Sequence, residues 1–318
     1  MFAQIEKDLK ILNINLNKMV GPRHPILYAA AEHLFHAGGK RIRPSIILLV
    51  AKATSRKEQL SNEHRRLAEI TEIIHTASLL HDDVIDDCSQ RRGLGTVNSK
   101  FSNKIAVLAG DFLFAQSSWY LANLNNLEVV KIISKIITDF AEGEIQQALA
   151  SFEASISINN YINKSFHKTA SLLAYSCKAS AILSQSDQYT QQQFYLYGKH
   201  LGLAFQIIDD ILDILGTYKN MGKLPGSDLK NGNLTAPLLF ALEECPNLYN
   251  LIEREFDREG DIEYTIRLIK STKGIEKAQD LAIENVQASI QALHNLPYTN
   301  QSIKNLILLS EKVINRMD

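Results

Sequence analysis

Twice in this 318-residue chain, three aspartates fall in the pattern D-D-x-x-D within apolar sequence. Asp82, Asp83 and Asp86 lie in SLLHDDVIDD, and Asp209, Asp210 and Asp213 in FQIIDDILD. On a helix, residues four apart sit one turn along and roughly 40° around the axis. Asp82 and Asp86 therefore share a face, as do Asp209 and Asp213. Carboxylates on successive turns of a greasy helix are costly unless cations neutralise them. The spacing suits hard divalent ions; magnesium takes one or two carboxylates per ion and completes its octahedron with water and phosphate oxygens. A single cluster would read equally well as an acidic patch at a helix end. Two of them, flanked by Leu, Ile, Val and Phe, predict carboxylate walls facing a shared set of cations.

Basic residues accompany the acids. GGKRIRP places Lys40, Arg41 and Arg43 behind Gly38-Gly39, and Arg91 and Arg92 follow the first acidic cluster. Lys168-Thr169 and Lys223 stand among small or turn-forming neighbours. Any one of these is an ordinary solvated charge. Jointly they predict a second, metal-free anion site beside the metal one, because arginine forks match phosphate geometry. His75 precedes Asp82 by two turns on the same face, yet taken alone it reads as a satisfied helix histidine. The remaining histidines lack metal-ligand spacing, and no nucleophile–base pair stands out. In EGEIQQ, Glu142, Glu144, Gln146 and Gln147 either line a polar cavity or form a solvated turn.

The elements that carry these residues are helical. Leu9, Leu12, Leu16 and Val20 recur at three- and four-residue steps, as do Leu67, Ile70, Ile74 and Ala77. No sustained alternation of the strand type appears. Breaks are short: 21–25, 38–39, 91–98 and 222–233. None has the composition of an interdomain linker. The expectation is one all-α domain over 1–318, a large helical bundle with the motifs at helix ends opening on a central cavity. From Pro246 on, amphipathic helix adds little chemistry. A net charge of −1 provides no global field for nucleic acid. Three scattered cysteines exclude a disulfide framework and point to a reducing compartment. The longest apolar run, Ile46–Val50, is too short to span a bilayer, so no transmembrane segment is expected. The N-terminus reads as an amphipathic helix without signal- or transit-peptide character.

In order along the chain, AGGKRIRP, IHTASLLHDDVIDD, RRG-x-x-T-x-N, AVLAGDFL, EGEIQQ, HKTASL, GLAFQIIDDILD and GK-x-x-GSDLKNGNLTAPLL resemble the trans-isoprenyl (polyprenyl) diphosphate synthases. That resemblance implies the isoprenoid-synthase type of all-α bundle, usually a homodimer. It implies condensation of isopentenyl diphosphate head-to-tail onto an allylic diphosphate. Asp82, Asp83, Asp86, Asp209, Asp210 and Asp213 would hold several magnesium ions on the allylic diphosphate, which Arg91, Lys168 and Lys223 would contact directly. Lys40, Arg43, His75 and Arg92 would hold isopentenyl diphosphate, and Thr169 and Gln206 would stabilise the cation. Two departures stand out: Gly95 where the family often has Pro, and Asn233 where many members carry Lys. The G-N-L-T-A-P wording and FAQSSWYLANL resemble cyanobacterial and plastid solanesyl-type synthases, which serve the plastoquinone side chain. They imply a plastid stroma or a cyanobacterial cytoplasm. Product length in the family is set just before the first acidic residue. Here Ala77 and Ser78 are small, so a long chain is expected; geranylgeranyl synthesis, or a non-catalytic subunit of a heteromeric synthase, is the alternative.

Overall fold

The computed structural model describes residues 3–20, 25–36, 39, 41–55, 60–91, 93–216 and 225–315. Lys40, Arg92 and Lys223, three of the expected cations, lie outside the described residues. In chain order the main helices are α1 (Glu6–Val20), α2 (Pro25–His36), α3 (Ile42–Thr54), α4 (Asn62–Ile85), α5 (Val97–Lys100), α6 (Asn103–Ala122) and α7 (Leu127–Leu149). There follow α8 (Ile158–Ser165), a π-helical turn (Phe166–Ala170), α9 (Ser171–Leu183), α10 (Gln188–Leu215) and α11 (Ser227–Lys230). The chain closes with α12 (Ala236–Leu242), α13 (Asn247–Glu253), α14 (Asp261–Ser271), α15 (Gly274–His294) and α16 (Gln301–Ile314). The strands among the described residues are β1 (Gln90–Arg91) and β2 (Leu94–Gly95), a two-residue antiparallel hairpin inside the expected 91–98 break. Gly95 pairs with Gln90 there. The all-α expectation is met.

Two compact units divide the chain. The first takes Met1–Ile137, Leu172–Tyr195 and Leu293–Leu308. Its axis is α4. Ser61 caps the start by accepting from the His64 N–H at 3.4 Å. Leu67, Ile70, Ile74 and Ala77, the periodic stripe, are all at most 1% exposed. Each large side chain so buried contributes roughly 1.5–3 kcal/mol. In α3, Ile46 through Ala51 are buried on every face, which explains an apolar run with little amphipathic contrast. Polar pairs sit inside this core: Thr71 Oγ1 meets Ser176 Oγ at 3.0 Å, and His64 Nε2 meets the Ser180 carbonyl at 3.1 Å. By length and composition, α6 could cross a membrane, with a mean hydropathy of 1.2; it packs along α4 and is 33% buried.

The second unit takes Thr138–Ser171, Leu196–Ala292 and Leu309–Asp318. Its organising feature is the π-helical turn. A Cβ on Gly202 of α10 would come within 2.6 Å of the Ala170 backbone, and one on Gly143 of α7 within 3.1 Å of the Lys168 nitrogen. Both helices therefore press closely on this turn, and at Gly202 the approach is backbone to backbone and excludes a Cβ. A π-helical turn re-aims the side chains it carries and marks functional sites.

Candidate active site

In the first unit, the acidic residues occupy the end of α4. The helix stops in a Schellman motif: Cys88 N–H donates to the Asp83 carbonyl at 2.9 Å, and Asp87 N–H to that of Val84 at 3.4 Å. Asp87 sits at the left-handed position with φ 50. Asn98 Nδ2 adds bonds to the Asp83 and Cys88 carbonyls at 3.2 and 3.1 Å, and Thr96 Oγ1 one to Cys88 at 2.8 Å. The T-x-N part of the motif thus satisfies the orphan carbonyls of this helix end. The negative end of the helix dipole and three carboxylates coincide here, which no isolated helix would favour.

Asp83 is 1% exposed. Its Oδ1 accepts from Arg91 Nε at 2.8 Å, and Arg91 is presented by the hairpin. Its Oδ2 is buried and has no hydrogen bond. Burial pushes the Asp83 carboxyl above its ordinary value, while the Arg91 guanidinium pulls it back. Asp82 and Asp86 are half-buried beside it. Arg43 Nη1 lies 3.0 Å from His75 Nε2, so two residues expected at one anion site are together. Arg41, their neighbour in GGKRIRP, is instead ion-paired with the buried Glu72 and begins α3. Ala77 is fully buried; Ser78 is half-buried and its hydroxyl donates to the His75 carbonyl at 2.9 Å. Ser117 is buried and Ser118 exposed on α6, and both hydroxyls donate to the Phe114 carbonyl.

In the second unit a hydrogen-bonded chain converges on Asp210. Thr169 Oγ1 donates to Gln206 Oε1 at 2.7 Å, and Gln206 Nε2 to Asp210 Oδ1 at 2.8 Å. Tyr161 OH donates to the other oxygen at 2.6 Å. Asp210 is 2% exposed, and burial with the nearby Asp228 raises its carboxyl to about 8. Lys168 Nζ pairs with Glu144 at 2.7 Å and donates to Gln147 Oε1 at 3.2 Å. Glu144 and Gln147 in EGEIQQ thereby hold a candidate substrate lysine, whereas Gln146 is exposed. Asp209 is half-buried.

Asp213 differs. It is 1% exposed; Ser227 Oγ donates to Oδ1 at 2.8 Å and the Asp228 N–H to Oδ2 at 3.1 Å. Its carboxylate anchors the start of α11. A further acidic group in this unit escaped sequence reasoning: His167 Nδ1 lies 3.7 Å from Asp139 and 3.9 Å from Glu142, a trio that could hold a metal ion. Tyr161 and Lys164 were also missed. Their signal was spacing, since Tyr161, Lys164 and Lys168 recur at three- and four-residue steps.

The helical fold is the one shared by solved prenyl diphosphate synthases, and this chain carries two aspartate-rich helix turns on it. The chain belongs to the polyprenyl synthetase family, whose model matches residues 24–269, and is a prenyl-transferring trans-prenyl diphosphate synthase. It is 59% identical to a prenyl transferase of Porphyra purpurea, over 100% of this chain and 98% of that one. It is 51% identical to the chloroplastic solanesyl diphosphate synthase 1 of Arabidopsis thaliana, over 93% of this chain and 74% of that one. Among solved structures it is similar to a polyprenyl synthase from Caulobacter crescentus complexed with calcium and isoprenyl diphosphate. That comparison has 31% identity and a TM-score of 0.93, covering 100% of this chain and 97% of the other.

Proposed function

We propose that the chain is a magnesium-dependent, long-chain synthase of solanesyl type, whose product supplies the plastoquinone side chain. It extends an allylic diphosphate by repeated addition of isopentenyl diphosphate, and residues 1–318 act as one synthase domain. The carrying observation is geometric: Asp83 Oδ2 is buried with no hydrogen-bond partner at a helix end that also carries Asp82 and Asp86. It is a place where a bound cation relieves an electrostatic cost. The chemistry of the donors, carboxylate oxygens on successive helical turns, fits magnesium and phosphate oxygens. The calcium-bound Caulobacter relative and the solanesyl-named chloroplast relative support the same reading.

Asp82, Asp83, Asp86, Asp209 and Asp210 would hold the ions that serve one allylic diphosphate, with Asp213 fixing α11 behind the second cluster. When bound, magnesium offsets the charge that develops on the departing diphosphate. Lys168, Arg91 and Lys223 add positive charge to the same oxygens. Arg43 and His75, with Lys40 and Arg92, hold isopentenyl diphosphate. The Thr169 and Gln206 oxygens direct their dipoles at the allylic cation once the carbon–oxygen bond breaks. The isopentenyl double bond forms the new carbon–carbon bond, and the proton it sheds leaves to the released diphosphate. No protein nucleophile takes part, and apolar walls keep water from the cation.

Ala77, small and wholly buried, sets no floor under the growing chain. A second copy of the chain covers the outer face of α6, where Leu108 is 45% and Trp119 60% exposed, giving a homodimer. The proposed location is a plastid stroma or a cyanobacterial cytoplasm.

Incubating the purified protein with labelled isopentenyl diphosphate and geranyl, farnesyl or geranylgeranyl diphosphate, with magnesium or with chelator, tests this reading. Long products that vanish with chelator are expected. Products that stop at geranylgeranyl would overturn the chain-length assignment. Absence of magnesium-dependent turnover would indicate a non-catalytic subunit. Ala77→Tyr should shorten the product on reversed-phase chromatography.

A further inference from the structure

Lys164 projects from α8 one turn after Tyr161, the residue that donates to Asp210. Its Nζ donates to Asn233 Oδ1, and the ammonium also lies 5.7 Å from the Tyr161 ring centre. Asn233 is held firmly. Its N–H donates to the Asp228 carbonyl at 2.8 Å, and the preceding Gly232 has φ 72. A Cβ on Gly232 would meet Ser151 Oγ at 2.2 Å and the Phe152 ring at 2.6 Å, so that turn admits only glycine. Because Asp213 anchors the start of α11, the path Asp213–α11–Gly232–Asn233 fixes where the Lys164 ammonium can be.

The charge environment is specific. Lys168 has a carboxylate partner in Glu144, whereas the direct acceptor of Lys164 is a neutral amide oxygen. Among the described residues no second acceptor lies within hydrogen-bond reach of Lys164, although an ammonium has three donors. Burial draws it below the ordinary lysine value against the pull of Asp210 and Asp228. It also lines a cavity of about 400 Å³ together with Gln146, Asn163, Tyr161 and Leu234. A desolvated cation with donors to spare, next to a carboxylate set that calls for metal–phosphate, is suited to an anionic oxygen.

We propose that Lys164, presented by Asn233, is a further substrate-binding residue that contacts the diphosphate of the allylic substrate beside Asp210. The assignment rests on the synthase reading above. It makes Asn233 a holder of positive charge rather than a gap in it. In the native background, Asn233→Lys would set two ammonium groups against each other and weaken binding. With Lys164 neutralised, the same change would restore the charge.

The test combines Lys164→Gln, Asn233→Lys and the double variant. Titration calorimetry with inorganic pyrophosphate and magnesium is run alongside steady-state kinetics with farnesyl diphosphate. Losing a charge-assisted hydrogen bond should weaken pyrophosphate binding and raise the allylic KM roughly tenfold to hundredfold. The isopentenyl KM should move less than about twofold, because the groups Lys164 touches, Asn233 and Tyr161, are not among those assigned to isopentenyl diphosphate. The double variant should return within about threefold of wild type, and Lys164→Arg should stay close to it. Unchanged pyrophosphate binding in Lys164→Gln overturns the proposal. So does a double variant no better than Lys164→Gln while both melt at the wild-type temperature. Because pyrophosphate titration needs no turnover, it judges Lys164 even if the wild-type chain fails to condense its substrates, an outcome that would instead sink the synthase reading.

Discussion

The two D-D-x-x-D clusters share a spacing and differ in surroundings. The first sits where α4 ends, with a Schellman turn, a dipole of the wrong sign and one Asp83 oxygen buried without a donor. The second sits within the last turns of α10, where protein donors reach both oxygens of Asp210 and both of Asp213. A motif therefore specifies which side chains share a helix face, but not which of them remains available to an ion. In the second cluster, hydrogen bonding has turned the third aspartate into an anchor and the middle one into the end of a relay from Thr169.

The sharpest way to break this comparison is to neutralise one member of each cluster. Asp83→Asn should lower kcat by roughly 10³-fold or more, as loss of transition-state charge stabilisation does. Asp213→Asn should lower kcat less than about tenfold and act mainly on stability, shifting Tm down by about 2–4 °C for each kcal/mol lost. Equal kcat losses would mean that the two aspartates play the same part.

A smaller effect sharpens it. Tyr161→Phe removes the hydroxyl that supports the charged form of Asp210 and keeps the ring packing. Half-maximal rate should then need roughly tenfold more magnesium, the equivalent of one charge-assisted hydrogen bond. An unchanged magnesium requirement would detach Tyr161 from the site. Smaller again, Ser227→Ala should cost about 1 kcal/mol through the Asp213 anchor, with kcat within about twofold. Calorimetric melting and initial rates measure both.

The smallest effect is one of pH and compares the two units. His64 in the first and His200 in the second are both held by burial below the ordinary 6.5. Each binds a proton less readily when folded than when unfolded. Their contribution to stability is therefore complete above 6.5 and is lost as pH falls below it toward the folded value. Tm should decline on acidification, and His64→Gln or His200→Gln should each flatten that decline. An identical slope in either variant would clear that histidine of the effect.

Much of the fold was legible because helical periodicity is local. Leu67, Ile70, Ile74 and Ala77 announce the buried face of α4 within eleven residues. The pairing of Arg43 with His75 was foreseen only as joint membership of an anion site, inferred from family resemblance. Tyr161 and Lys164 passed unnoticed because their partners are 49 and 69 residues away in the chain. A lysine among asparagines looks solvated until the fold supplies an Asn233 to hold it. Glu144 and Gln147 could be read either as cavity lining or as a wet helix turn, and only the position of Lys168 decided between them.

By itself, the sequence determined the helical character, the two aspartate faces and the family, because each depends on residue type and near-neighbour spacing. Tertiary structure alone decided which carboxylate oxygens are already taken, where Lys164 is pinned and how the π-helical turn is gripped by two glycines. Those outcomes depend on which distant atoms share a low-dielectric space, and one-dimensional spacing carries no record of that.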